Sequence, residues 1–307
     1  MKSMVTATVL FLAGWTSLSA QELIETRTLS GSDLKEVYVS TLGGDIEVES
    51  WSVAEVRIDI FLNKSSDKSK KDFEERYERR FGVDNGRAWI EIKYKGKSKW
   101  NFFNWTHSVG HTVVVKMPKS LNLQLTTSGG DIQVREITGA ATISTSGGDV
   151  KVTDLIGVLK ASTSGGDLVL SSITGKIYAS TSGGDIKVNT VSGVTEVSTS
   201  GGDVNVKNAK GFVDASTSGG DIYVDIRKEC DGVRASTSGG DLVVNLPAAT
   251  ALNLDARTTG GRVSITDDLE VSFKGTMKKD KVDGKINGGG PDVHLRTSGG
   301  DIRISGQ

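Results

Sequence analysis

Thr127-Ser128-Gly129-Gly130-Asp131-Ile132-Gln133-Val134 recurs down the chain, with its aspartate reappearing at Asp149, Asp167, Asp185, Asp203, Asp221 and Asp241. From Asp131 to Asp221 the step is 18 residues every time, and the step to Asp241 is 20. A short fixed period marks a solenoid, in which each unit is one rung that cannot bury its apolar face alone.

Counting each aspartate as position one, position two is Ile132, Val150, Leu168, Ile186, Val204 and Ile222, and position four is Val134, Val152, Leu170, Val188, Val206 and Val224. Gln133, Lys151, Lys187 and Asn205 lie between them, so the period is two and the segment is a strand with one face inward. Position seven is apolar in most rungs, and position nine is glycine from Gly139 to Gly211. A second inward set follows, Ile143, Ala161, Ala179, Val197 and Ala215, with serines outward beside it. The Ser-Gly-Gly corner then turns the chain, its glycines expected to take positive φ.

Equal rungs place identical residues above one another, about 4.8 Å apart, in parallel strands. An antiparallel meander would need a hairpin at each end and would not hold one register. A left-handed β-helix of hexapeptides needs an inward small or apolar residue every sixth position. Here those positions read apolar, mixed (Thr138, Ile156, Thr174, Ser192, Lys210) and serine. The expected fold is therefore all-β, a right-handed single-stranded parallel β-helix.

Residues 1–20 read as a secretory signal: Lys2, an apolar core from Met4 to Trp15, then Ser17-Leu18-Ser19-Ala20. That core is too short to span a bilayer as a resident helix, so the chain is expected to be exported with no transmembrane span. Residues 21–125 read as a β-rich module capping one end of the helix, and 126–307 as the repeat itself. The module opens on a degenerate copy, Ser40-Thr41-Leu42-Gly43-Gly44-Asp45-Ile46. It also holds the one expected helix, about 69–81, capped by Ser69 and carrying Phe73, Tyr77 and Phe81 on one stripe. With 37 basic and 38 acidic residues the chain lacks the basic excess of a nucleic-acid scaffold. Cys230 is the only cysteine, so no disulfide forms within the chain.

Met117-Pro118, Leu246-Pro247 and Pro291 each lead into a rung, where a residue without an amide proton loses no ladder bond. A signal segment, a divergent β-rich module, a hydrophobic-Pro lead-in and tandem Thr-Ser-Gly-Gly-Asp rungs together resemble the bacterial putative-adhesin family, over about residues 34–307. The resemblance implies an exported, non-catalytic envelope or surface protein, and it supplies no catalytic residues.

The row Asp131, Asp149, Asp167, Asp185, Asp203, Asp221 and Asp241 is the structural corner of the repeat. Stacked carboxylates repel by about 1 kcal/mol per neighbouring pair in water. Hydrogen bonds from corner Ser hydroxyls or Gly amides are the expected compensation, with Arg262 relieving Asp241 one rung later. A ladder of Ca²⁺ sites would need more ligands than one carboxylate per turn. Trp100, Phe102, Phe103 and Trp105 are the candidate binding surface, set against a small core beneath the Phe73 stripe. His107 and His111 lack a third ligand for zinc, and ladder hydrogen bonding is the expected reason for the serine rows. No catalytic, cofactor or metal residue is assigned.

These features point to a structural or adhesive rod, not an enzyme, that presents a repetitive face to a glycan or an envelope or surface protein. The alternative is a β-helix carbohydrate-active enzyme, a polysaccharide lyase or hydrolase. Short identical corners leave little room for its cleft. The chain ends soon after Ile304. An open rung is therefore expected there, covered by residues 266–290 or by a second copy stacked end to end.

Overall fold

The computed structural model describes residues 21–31, 33–64, 66–95, 109–266 and 272–306. Residues 1–20, where a secretory signal is expected, and the aromatic run at 100–105 lie outside them. Among the described residues the protein is all-β apart from one helix.

Before the repeat come β1 (Glu22–Leu29), β2 (Glu36–Thr41), β3 (Asp45–Trp51), β4 (Val56–Leu62), α1 (Asp67–Arg76), β5 (Tyr77–Asp84), β6 (Arg87–Tyr94), β7 (His111–Pro118) and β8 (Asn122–Thr127). The degenerate copy already stacks as a rung. β2 runs parallel to β8 with Val37 beside Leu123, and β3 runs parallel to the first strand of the repeat with Ile46 beside Ile132. On their other side β2 lies parallel to β6 and β3 to β7. Antiparallel β5 then closes one sheet, and β4 followed by β1 closes the other. The first rungs thus pair with antiparallel strands instead of leaving a parallel edge bare.

The helix is shorter than its aromatic spacing suggests. Ser66, not Ser69, is its N-cap, accepting from the amide of Ser69 at 3.0 Å. The helix stops at Arg76, and Tyr77 and Phe81 stand on β5, paired with Tyr94 and Ile90 of β6. Residues four apart share a face in a strand as well as in a helix, so the stripe is compatible with both. Pairing with β6 decides for strand.

The repeat supplies β9 (Ile132–Ser144), β10 (Val150–Ser162), β11 (Leu168–Ser180), β12 (Ile186–Ser198), β13 (Val204–Ser216) and β14 (Ile222–Ser236). Neighbours from β9 to β13 pair parallel at an offset of 18, for example Val150 with Leu168 and Ala161 with Ala179. The inward columns are buried as the alternation requires: Ile132, Val134, Ile137 and Ile143 are each 1% exposed. The longer rung absorbs its additional residues as register shifts between β13 and β14, near Cys230.

Two kinds of glycine hold these rungs together. At position nine φ is positive, from +97° at Gly211 to +149° at Gly139. At the corner, positive φ is not the reason, contrary to expectation. None of the corner glycines from Gly129 to Gly240 is among the positive-φ residues. The second of each pair is required by close stacking: a Cβ on Gly166 would stand 2.0 Å from the carbonyl oxygen of Gly148, whereas one on Gly165 meets nothing nearer than 3.7 Å. Each 13-residue strand also bends at a left-handed residue, such as Glu136 at φ +56° or Thr190 at φ +56°.

After Asp241 the chain departs from sequential stacking. The remaining strands are β15 (Leu242–Leu246), β16 (Leu252–Thr258), β17 (Val263–Ile265), β18 (Phe273–Met277), β19 (Lys281–Ile286), β20 (Asp292–Thr297) and β21 (Ile302–Gly306). β20 pairs parallel with β14 on one side and with β16 on the other, and β21 lies between β15 and β17. The last rung in sequence is therefore inserted in the stack, not left at its end. Beyond β16 the outermost strands come from the 266–290 excursion, with β19 antiparallel to β16 and β18 antiparallel to β19, whereas on the other sheet β17 pairs with β21 alone among the described residues.

Candidate functional site

The corner builds two continuous columns. In the first, each aspartate Oδ1 accepts the backbone amide of the aspartate one rung on. Asp149, Asp167 and Asp185 donate to Asp131, Asp149 and Asp167 at 2.8 Å, and Asp203 to Asp185 at 3.0 Å. The column begins at Asp45, which receives Asp131 at 3.0 Å. It ends through Asp241, Asp301 and then Arg262, whose amide reaches Asp301 at 2.8 Å. Arg262 thus follows Asp301 and not Asp241, because the inserted rung separates them.

The donor to each aspartate is thus the next aspartate's own amide, not the corner serine hydroxyl or glycine amide expected; the second column is made by threonine. Thr163 Oγ1 donates to the carbonyl of Gly148 at 2.9 Å and accepts the amide of Gly166 at 3.3 Å. Thr145, Thr181, Thr199 and Thr217 repeat this arrangement and are buried. A hydroxyl both donates and accepts, so one side chain satisfies two buried backbone groups per rung. The serines at position fourteen do not form a ladder. Among the described residues only Ser162 of this row reaches another serine, Ser144, at 3.4 Å, while the hydroxyls of Ser180, Ser198 and Ser216 have no partner.

His111 occupies the place of a preceding corner at the start of the stack. A Cβ on Gly44 would stand 2.3 Å from its Nε2. Its Nδ1 lies 3.1 Å from the Val109 carbonyl, which can only accept, so Nδ1 carries the proton and Nε2 accepts the Thr41 hydroxyl at 2.6 Å. The imidazole packs on Phe73 and Tyr77, with ring centres 5.1 and 5.5 Å away. Burial lowers its pKa, outweighing the Val109 bond and the charge of Asp45, both of which raise it. His107, Trp100, Phe102, Phe103 and Trp105 lie outside the described residues. Among the described residues no three His, Cys, Asp or Glu side chains gather as a metal ion would need.

Outward rows are the other product of the register. On the sheet that carries β9 to β13, Lys160, Tyr178, Glu196 and Asp214 follow one another. Beside them runs the serine row, and together they line an open trough of ≈ 490 Å³. Sequence reading had marked these serines but not the aromatic residues Tyr38 and Trp89 further along the same face. Their signal was the strand phase, each standing between two buried residues: Val37 and Val39, Ala88 and Ile90.

No curated protein matches the chain. Among solved structures it is similar to a putative adhesin from Bacteroides fragilis, at 16% identity over 93% of this chain and 97% of that one, with a TM-score of 0.48. It is also similar to a putative adhesin from Parabacteroides distasonis, at 14% identity over 92% and 97% of the two chains, with a TM-score of 0.47. A putative lipid binding protein from the same organism shares 13% identity over 94% and 97%, with a TM-score of 0.32. Residues 45–305, from the aspartate of the degenerate copy into the last strand, match the family described as Toastrack DUF4097, and the chain belongs to that family.

Proposed function

We propose that this protein is an exported, non-catalytic rod that holds a repetitive outer face towards a glycan or an envelope or surface protein. In this reading residues 1–20 are removed on export, 21–125 cap the rod and 126–307 form its body. The body winds as a right-handed single-stranded parallel β-helix, the hand that parallel strand connections take in nearly all cases. The carrying observation is the unbroken outward row: side chains such as Ser180, Ser198 and Ser216 repeat at one-rung spacing with no hydrogen-bond partner among the described residues. Antiparallel strands cover the first rung on both sheets and β16 of the last rung, while β17 pairs with β21 alone among the described residues and is the strand on which a second copy would stack end to end.

Beads carrying residues 21–307 are expected to be retained on immobilised glycans or envelope proteins. Ser180→Arg with Ser198→Arg should lower that retention at least tenfold without changing the melting temperature by more than a few degrees. Retention by neither surface, or retention indifferent to the double substitution, would overturn this reading of the face.

A further inference from the structure

β5, β6, β2 and β8 carry a second open trough, of ≈ 710 Å³, on the outer face. Tyr38 and Trp89 are lateral neighbours in the parallel pair β2–β6, so their backbones are about 4.8 Å apart and both side chains point outward. Each is held from behind. Gly82 faces Trp89 across β5–β6, and a Cβ there would stand 2.6 Å from the indole Cζ2, so the indole lies against bare backbone. The Arg87 guanidinium sits 5.5 Å from the centre of the Tyr38 ring, and its Nε donates to Glu36 at 2.6 Å.

Covering a glycine near the edge of a sheet is a structural task that Trp89 performs on its own account. It explains neither Tyr38 alongside nor the polar groups left unused. The Trp89 Nε1 and the Tyr38 hydroxyl have no hydrogen-bond partner among the described residues, and neither do the side chains of Lys35 and Asn85. Asn122 spends its Oδ1 on the amide of Ala140 at 3.0 Å and keeps its Nδ2 free.

We infer that this trough binds a neutral pyranose residue of a glycan. A pyranose presents C–H groups on its faces, which pack on aromatic rings, and hydroxyls around its rim, which need donors and acceptors there. Tyr38 and Trp89 supply the first, and Asn85, Asn122 and Lys35 the second. The volume falls within the range of small-ligand sites. Lys35, Arg80 and Arg87 are balanced by Glu36, Asp84 and Glu91, which favours a neutral ring over a uronic acid or a phosphate. From Tyr38 the outward row continues through Gln124 and Thr142 towards the serine-lined trough, leaving a path for further sugars. The inference rests on the adhesive reading above and narrows it to one ligand class at one place.

The test titrates residues 21–307 against immobilised neutral gluco-, manno- and N-acetylglucosamine oligosaccharides, with retention on envelope proteins measured alongside. Tyr38→Ala and Trp89→Ala should each weaken sugar binding at least tenfold, Trp89→Phe should stay nearer the wild type, and Lys187→Ala on the other sheet should change nothing. Because Trp89→Ala also uncovers Gly82, Tyr38→Ala with an unchanged melting temperature is the deciding variant. Undiminished sugar binding by Tyr38→Ala overturns the trough and leaves the adhesive reading intact. No sugar binding by the unaltered protein also overturns the trough, and the adhesive reading then falls only if envelope proteins are not retained either.

Discussion

The backbone amide of Asp301 donates to Oδ1 of Asp241 at 2.7 Å, although the two are 60 positions apart in sequence. Everywhere from Asp131 to Asp241 the next aspartate in space is also the next in sequence, and here it is not. The chain lays down β16 and β17, adds the β18–β19 hairpin, and only then returns to fill the gap beneath them. The C-terminal segment is therefore a wedge holding the cap to the body.

That position makes Ile302–Ile304 an interior strand. Both isoleucines are 0% exposed, and their strand is paired on both sides. Amide exchange there should be as slow as at Val188, and Ile304→Asp should cost about 3 kcal/mol or more by placing an unpaired charge in the core. Exchange at the rate of a frayed terminus would show that the wedge is not seated between β15 and β17.

What the sequence made legible is what repetition makes legible. Period two within the rung and period 18 between rungs place Ile132, Val134 and Ile143 on the inside, because each repeats an identical choice. Where one residue's choice depends on a distant segment, the reading failed. Tyr77 and Phe81 kept a helical spacing but were claimed by β6. Arg262 looked like the successor of Asp241 because nothing local reports an inserted rung. The left-handed bend was hidden for another reason: Glu136, Asp154, Ser172, Thr190 and Asn208 share no side-chain type, only a backbone angle. Of the outer face, the serines were visible as a repeat, while Tyr38 and Trp89 occur once each and needed the pairing of β2 with β6 to bring them together.

The aspartate column turns an acceptor, not a charge, towards the next rung. Asp185 Oδ1 takes the amide of Asp203, and its own amide is taken by Asp167. Its Oδ2 makes only a solvent-exposed pair with Lys187 at 3.4 Å, which contributes little. Asp185→Asn keeps the acceptor and removes like charge beside Asp167 and Asp203, so thermal unfolding should shift by less than about 0.5 kcal/mol. Asp185→Ala leaves an amide unpaired and should cost about 1 kcal/mol. Calcium or a chelator should not move the melting temperature. A chelator-sensitive shift of about 10 °C or more, lost when several of these aspartates become asparagine, would make the column a metal ladder instead.

His111 should give the protein a pH dependence of known sign. An unfolded imidazole titrates near 6.5, and burial lowers that value in the folded chain. The groups around it are the Thr41 hydroxyl, the Val109 carbonyl, the Phe73 and Tyr77 rings and the charge of Asp45. Between the folded and unfolded pKa values the unfolded chain binds a proton that the folded chain refuses. Stability from this site is therefore full above about pH 6.5 and falls as the pH drops below it, by at most about 1.4 kcal/mol per pH unit. Glu47 acts in the opposite direction, since burial pushes its carboxyl up and favours the folded state as acid is added. Comparing variants removes that contribution. His111→Gln should flatten the fall in melting temperature between about pH 6.5 and 5. An unchanged slope in His111→Gln would mean that the folded chain takes up the proton as readily as the unfolded one, so that burial does not keep this imidazole neutral.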